Sequence, residues 1–362
     1  MQMKLTILKK EDPDLIRNIA RYANSQNKVK TADLNSSHPF YVRIEDFSRK
    51  VYAPLATGQI YQQLWFFERA RGQYEQPLMQ MTKKQRADYK LVRPRSMKFT
   101  LTDLAKYMNA ANMLPHYVSW GGEVNAAHFH TDMTKQWEKD DSVFNELFYK
   151  ELIGKKILFE HIGRIISDQI WYQERRAYRP QLIAYTFSKL VYDAKEKGLK
   201  LNYRRIWDLQ SVPECLDTDI AKVAKLVFDA IYDESRVNAH IETYCKKIDC
   251  WSVISKIKNE ISDESREALV NESELKVEKT RAKKEQKFNS TIQDEISIFQ
   301  QGASYWESLV LRGKVQEVLS PMQEKILLNA IRYCNLEYNE LSRRQVSEII
   351  KVLDDLRENG IE

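Results

Sequence analysis

From Ser142 to Ile231 the large apolar residues return every three or four positions, and a chain with that rhythm is committed to helices packed on one another. Phe144, Leu147, Phe148, Leu152, Leu158, Ile162, Ile165 and Ile166 form one such series, which Pro180 interrupts. A second series, Leu182, Ile183, Phe187, Leu190 and Val191, closes at Gly198. The third is the cleanest: Ile220, Val223, Ala224, Val227, Phe228 and Ile231 lie along one stripe, behind Asp217 and Thr218, which are both able to cap a helix. This pattern predicts a helical bundle over 141–261. The chain has only 10 Gly and 9 Pro among 362 residues, which argues against a turn-rich β sandwich.

The preceding part reads as α+β, so the expected fold class is mostly α: a basic α+β part over 1–140, then the bundle. Leu5 to Leu8 reads as a short strand, and Asp12-Pro13 opens a helix with Leu15, Ile16, Ile19, Ala20 and Ala23 on its apolar face. Between Pro39 and Arg95 helical and extended signals mix, and Trp65-Phe66-Phe67 fits a buried strand or one helical turn. Thr102 can cap a helix containing Leu104, Ala105, Tyr107 and Met108. His116 to Trp120 then reads as a strand and Gly121-Gly122 as a turn. Towards the other end, 262–290 is dense in charge and reads as a helix or a linker. Over 291–362 a helical hairpin is expected, a helix-turn-helix being the other reading. Ser320-Pro321 with Gln323 starts one of its helices and Ser342 the other.

Charge is unevenly spread. Residues 1–100 carry 19 Lys and Arg against 9 Asp and Glu, a balance of +10 that leaves −4 for the rest of a chain whose net charge is +6. Clustered cations release counterions from a phosphate backbone, so the first third suits a polyanion; a plainly solvated basic face is the alternative. Cys215, Cys245, Cys250 and Cys334 are widely spaced and form no CxxC pair, so they read as reduced core thiols. No segment approaches a membrane span, and a cytoplasmic protein with no membrane partner is expected.

Two stretches carry the chemistry. In Asn24-Ser25-Gln26-Asn27-Lys28-Val29-Lys30, amides that can read base edges sit beside lysines that can meet phosphates. The same residues also suit a helix C-terminus. Trp65-Phe66-Phe67-Glu68-Arg69-Ala70-Arg71-Gly72-Gln73-Tyr74 is followed by Lys83, Lys84, Arg86, Lys90, Arg93 and Arg95. Aromatics among arginines can stack bases and clamp phosphates. Alternatively the aromatics fill the core and Glu68 pairs with Arg69 or Arg71.

These two stretches, with Lys98-Phe99-Thr100-Leu101-Thr102-Asp103-Leu104-Ala105-Lys106-Tyr107 and Pro115-His116-Tyr117-Val118-Ser119-Trp120-Gly121, resemble the motifs of the AIPR family over roughly residues 1–160. Trp120 stands where the family pattern usually has a lysine, which removes one candidate cation. The resemblance implies a role in abortive infection against phage. It also implies that longer relatives carry a nuclease domain, marked by an Asp and an acidic-x-Lys strand that hold a metal. No such strand is evident, and the chain reads as a short relative or a piece lacking that domain.

Asn24, Gln26, Asn27, Lys28, Arg69, Arg71 and Gln73 are therefore the candidate nucleic-acid-binding residues, for DNA or RNA. The enzyme alternative, of nuclease or nucleotide-directed type, builds on Glu68 with Arg69 and Arg71; only there would a divalent metal be needed, and no other cofactor is expected. A third possibility is a helical scaffold that self-associates or engages a defence-system partner. His128 and His130, one residue apart beside Asp132, could share a face and bind a metal if they lay on a strand, but no third ligand is evident, so no metal site is expected. No P-loop, dinucleotide fingerprint, GxSxG or HExxH occurs.

Overall fold

His38 and Pro39 start the first described helix, α1 (Pro39–Lys50): the proline sets the first helical φ, and His38 Nδ1 accepts the Phe40 N–H at 3.2 Å. The computed structural model describes residues 36–55, 60–173, 178–233, 241–316, 318–337 and 340–361. The strand expected at Leu5–Leu8 and the helix after Asp12 lie outside them. Helix α1 buries Phe40, Tyr41 and Ile44.

After an isolated bridge between Tyr52 and Leu64, β1 (Phe66–Glu68) pairs in parallel with β2 (Lys98–Thr100), Phe67 standing opposite Phe99. The aromatic run is thus a strand with both faces covered. Phe67 stacks on Phe99, while Phe66 meets Tyr74 edge-on beside Leu78. The chain between the strands carries α2 (Lys83–Val92), capped reciprocally by Thr82 and Gln85.

Thr100, not the expected Thr102, caps α3 (Leu101–Ala111). Its hydroxyl accepts the Asp103 N–H, and the Asp103 carboxylate accepts the Thr100 N–H at 3.2 Å. Burial pushes the Asp103 carboxyl up, but the hydrogen bonds from Thr100 and the nearby Lys106 charge hold it below the usual carboxylate range. His116 to Trp120 is helical rather than extended: α4 (Pro115–Ser119) has Pro115 in its first turn, and Gly121, at φ 94°, redirects the chain into α5 (Gly122–Lys139).

The bundle follows as α6 (Glu146–Asp168), α7 (Arg179–Glu196), α8 (Tyr203–Leu209) and α9 (Asp217–Ile231). A small antiparallel pair, β3 (Leu199–Leu201) with β4 (Leu269–Asn271), closes its side. The α9 stripe read from sequence is buried throughout, and α7 buries Leu182, Ala184, Tyr185, Phe187, Leu190 and Ala194. One apolar core runs from Phe40 to Leu269, and the fold is mostly α.

The chain divides into two compact units, the second being Glu278–Glu362. The charged stretch continues into a helix, α10 (Glu272–Gln301). The second unit has its own core, where Ile298, Trp306, Leu309, Leu327, Ala330 and Ile349 meet. Its helices are α11 (Ala303–Val315), α12 (Pro321–Cys334) and α13 (Arg343–Glu358), and Ser320 with Gln323 and Ser342 with Gln345 form the capping boxes of the last two. No helix among the described residues is long and apolar enough to cross a membrane.

Within the first unit, α6 and α8 approach closely because Gly154 has no side chain: a Cβ there would lie 2.2 Å from the Tyr203 carbonyl oxygen. Backbone cannot yield as a flexible side chain can, so Gly154→Ala is expected to cost about 3 kcal/mol in chemical denaturation followed by circular dichroism. A variant as stable as the parent would contradict this helix contact.

Candidate nucleic-acid interface

The polar motif after β1 folds around two carboxylates. Glu68, at the strand end, is buried; Lys98 Nζ meets its Oε2 at 2.6 Å and the Tyr74 N–H reaches its Oε1 at 3.3 Å. Its partner is therefore neither Arg69 nor Arg71. Neighbouring residues of an extended chain point to opposite sides, which sends Arg69 away from Glu68.

Arg69 turns instead to Glu45, a buried residue of α1 that sequence reasoning missed. Arg69 Nε donates to Glu45 Oε2 at 2.6 Å and its Nη1 to the Ser36 carbonyl at 2.9 Å. Arg49 and Gln73 both donate to Glu45 Oε1. Burial alone would raise the Glu45 carboxyl; hydrogen bonds and charge from Arg69 and Arg49 outweigh it and hold the group below its ordinary value. The one signal in the sequence was the pairing of Glu45 with Arg49 four residues on.

Arg71 differs from Arg69. It lies exposed in the turn and makes no ion pair among the described residues; Gly72, at φ 80°, supplies the left-handed backbone that reverses the chain there. Of the predicted site residues, the structure brings Arg69 and Gln73 together on Glu45 and leaves Arg71 outside. Asn24, Gln26, Asn27 and Lys28 lie outside the described residues.

Helix α2 presents the basic run. It contributes no buried residue and carries Lys83, Lys84, Arg86 and Lys90 against the single acid Asp88. All four cations are exposed, and none forms an ion pair among the described residues. Tyr89 anchors the helix against Tyr74, with the Arg93 guanidinium 5.2 Å from its ring centre. Arg95 is spent on Glu75 at 2.7 Å. Elsewhere on the surface some cations meet an acid four residues away, as in Lys225 with Asp229 and Arg281 with Glu285, while others, such as Lys222 and Lys258, are exposed without an ion pair among the described residues. What distinguishes α2 is that it gathers four such cations on one short helix.

The histidines fall on helix α5 rather than on a strand, and residues two apart on a helix do not share a face. His128 stacks on Tyr117, with ring centres 4.5 Å apart. His130 stacks on Tyr41 and lies 5.5 Å from His38. Burial lowers both His130 and His38, and the neighbouring His38 lowers His130 further. No group of three or more His, Cys, Asp or Glu residues among the described residues could hold a metal ion.

A family model described as AIPR protein matches residues 1–235. Neither the comparison with curated proteins nor that with solved structures finds a match.

Arg69→Ala would leave a buried carboxylate short of a donor and is expected to cost about 2 kcal/mol, whereas Arg71→Ala should change stability by less than about 0.5 kcal/mol. Denaturation curves of the two variants check this. Equal losses would contradict the division between the two arginines.

Proposed function

The chain belongs to the AIPR family of abortive-infection phage-resistance proteins, and on that premise we propose that its part in phage defence includes holding nucleic acid on α2 and the neighbouring turn. The observation that carries this reading is the set of exposed cations Lys83, Lys84, Arg86 and Lys90 without a carboxylate partner among the described residues. An exposed cation near a phosphate displaces condensed counterions, and four on three turns of one helix can follow a backbone. Such contacts position the polymer without reading its sequence, so DNA and RNA are both suitable ligands.

Arg71 extends the surface, since it is exposed and has no ion-pair partner among the described residues. Arg69 and Gln73 support it indirectly by tying the turn to α1 through Glu45. Asn24, Gln26, Asn27 and Lys28 contribute no structural support to the reading. An enzyme centred on Glu68 gains nothing from the geometry, because Lys98 and the Tyr74 N–H occupy both carboxylate oxygens.

Binding of duplex DNA and of RNA to the full chain, titrated against salt, tests the proposal. The logarithm of affinity should fall linearly with the logarithm of salt concentration. Lys83→Ala, Lys84→Ala, Arg86→Ala and Lys90→Ala together should reduce the slope by about one for each phosphate-contacting cation removed. Absent binding, or a slope unmoved by the fourfold variant, would overturn it.

A further inference from the structure

A cleft of about 720 Å³ opens in the first unit between α6, α7 and the segment around Trp65. Trp65, Met97, Ile157, Phe159 and Ile183 give it an apolar wall, and Arg164 and Arg179 stand among its lining. Its size lies within the roughly 300–1,000 Å³ of small-molecule sites. What sets it apart is the treatment of charge.

Arg179 is held in place by uncharged acceptors among the described residues. Its Nη2 donates to the Gly163 carbonyl at 2.8 Å and its Nε to Ser167 Oγ at 3.1 Å. Gly163 makes this possible, because a Cβ there would come within 2.9 Å of Ile183 Cδ1 and 3.0 Å of Arg179 Nη2. A guanidinium has five N–H donors, and the others have no partner among the described residues. Arg164 meets His161 Nδ1 at 3.3 Å. Neither arginine pairs with a carboxylate among the described residues.

The acid in the lining, Glu160, is committed elsewhere: buried Lys156 meets it at 2.6 Å while lying 4.7 Å above the Trp65 ring. Gln210, in the left-handed region at φ 52°, accepts the Trp65 indole N–H at 3.0 Å and fixes that wall. A neighbouring hollow of about 410 Å³ supplies the contrast. There Lys50, Lys150 and Arg204 are each matched by an acid four residues away.

We propose that the cleft binds a nucleoside phosphate, its base against the apolar wall and its phosphate on Arg164 and Arg179. A planar guanidinium donates in parallel to two phosphate oxygens, and one already fixed by uncharged acceptors loses little freedom on doing so. The apolar wall distinguishes such a ligand from inorganic phosphate, and the two arginines distinguish it from a bare nucleoside. Free nucleotides and the phosphorylated end of a strand share this chemistry. The site uses no residue of α2 and stands independently of the interface proposed there.

Calorimetry on the full chain with AMP, ATP, adenosine and inorganic phosphate, and anisotropy with 5′-phosphorylated and 5′-hydroxyl oligonucleotides, separate the sources. A nucleotide or the phosphorylated strand should bind at least about tenfold more tightly than its counterpart lacking phosphate, and a nucleotide likewise more tightly than inorganic phosphate. Arg164→Ala with Arg179→Ala should remove that advantage, whereas Lys225→Ala, at an exposed lysine paired with Asp229 outside both surfaces, should preserve it. Gly163→Ala should weaken binding by displacing Arg179. On the unaltered chain, hydrogen exchange should slow at 157–167 and 179–183 when the tighter ligand is added, which keeps the test decisive if an arginine variant fails to fold. The proposal is overturned if neither phosphorylated ligand is preferred, if the double arginine variant binds as the parent does, or if no protection appears at those segments.

Discussion

Removing a carboxylate from water is costly unless donors replace the water, and at Glu45 three side chains do so. One donor, Arg49, comes from the same helix; Arg69 and Gln73 come from the turn after β1. The charge thus ties α1 to the turn that follows the parallel strand pair. Arg69 also reaches back to the Ser36 carbonyl, so a single guanidinium joins the start of α1 to the end of β1. Glu68 closes the same turn from its other side through Lys98 and the Tyr74 N–H. With both carboxylates satisfied, the small apolar cluster of Phe66, Tyr74 and Leu78 has a fixed frame on which α2 rests through Tyr89.

That frame sorts the cations of the N-terminal third. Arg49, Arg69, Arg95 and Lys98 are spent on Glu45, Glu75 and Glu68, and contribute to stability. Lys83, Lys84, Arg86, Lys90 and Arg71 are exposed and have no ion-pair partner among the described residues. The same distinction marks the cleft beside α6, where Arg179 is positioned by a carbonyl and a hydroxyl rather than by a carboxylate. Net charge located the basic region; pairing determines which members of it can attract an anion.

Much of the helical architecture was legible because it depends on local pattern. The α9 stripe and the Ser320 and Ser342 starts follow from side chains within a few residues of one another. Trp65-Phe66-Phe67 was ambiguous for a physical reason: a strand covered on both faces has no polar alternation to separate it from a buried helical turn. His116 to Trp120 carries strand-favouring residues, yet Pro115 starts a helical turn and packing against α7 keeps it. The Glu45 network was not legible, since its donors lie 24 and 28 positions away and only the tertiary fold brings them together. Arg69 and Arg71, two positions apart in the turn, face different environments, a difference the sequence pattern does not reveal.

On the proposed reading, nucleic acid meets the cations of α2, unpaired among the described residues, while the Glu45 network stays intact behind them. Hydrogen exchange of the full chain with and without duplex DNA or RNA at low salt tests it most directly. The account predicts slower exchange across 82–95 on binding, with the amides of 66–69 and of α1 unchanged because they are already held. Protection confined to 66–69 and α1, with none across 82–95, would contradict it.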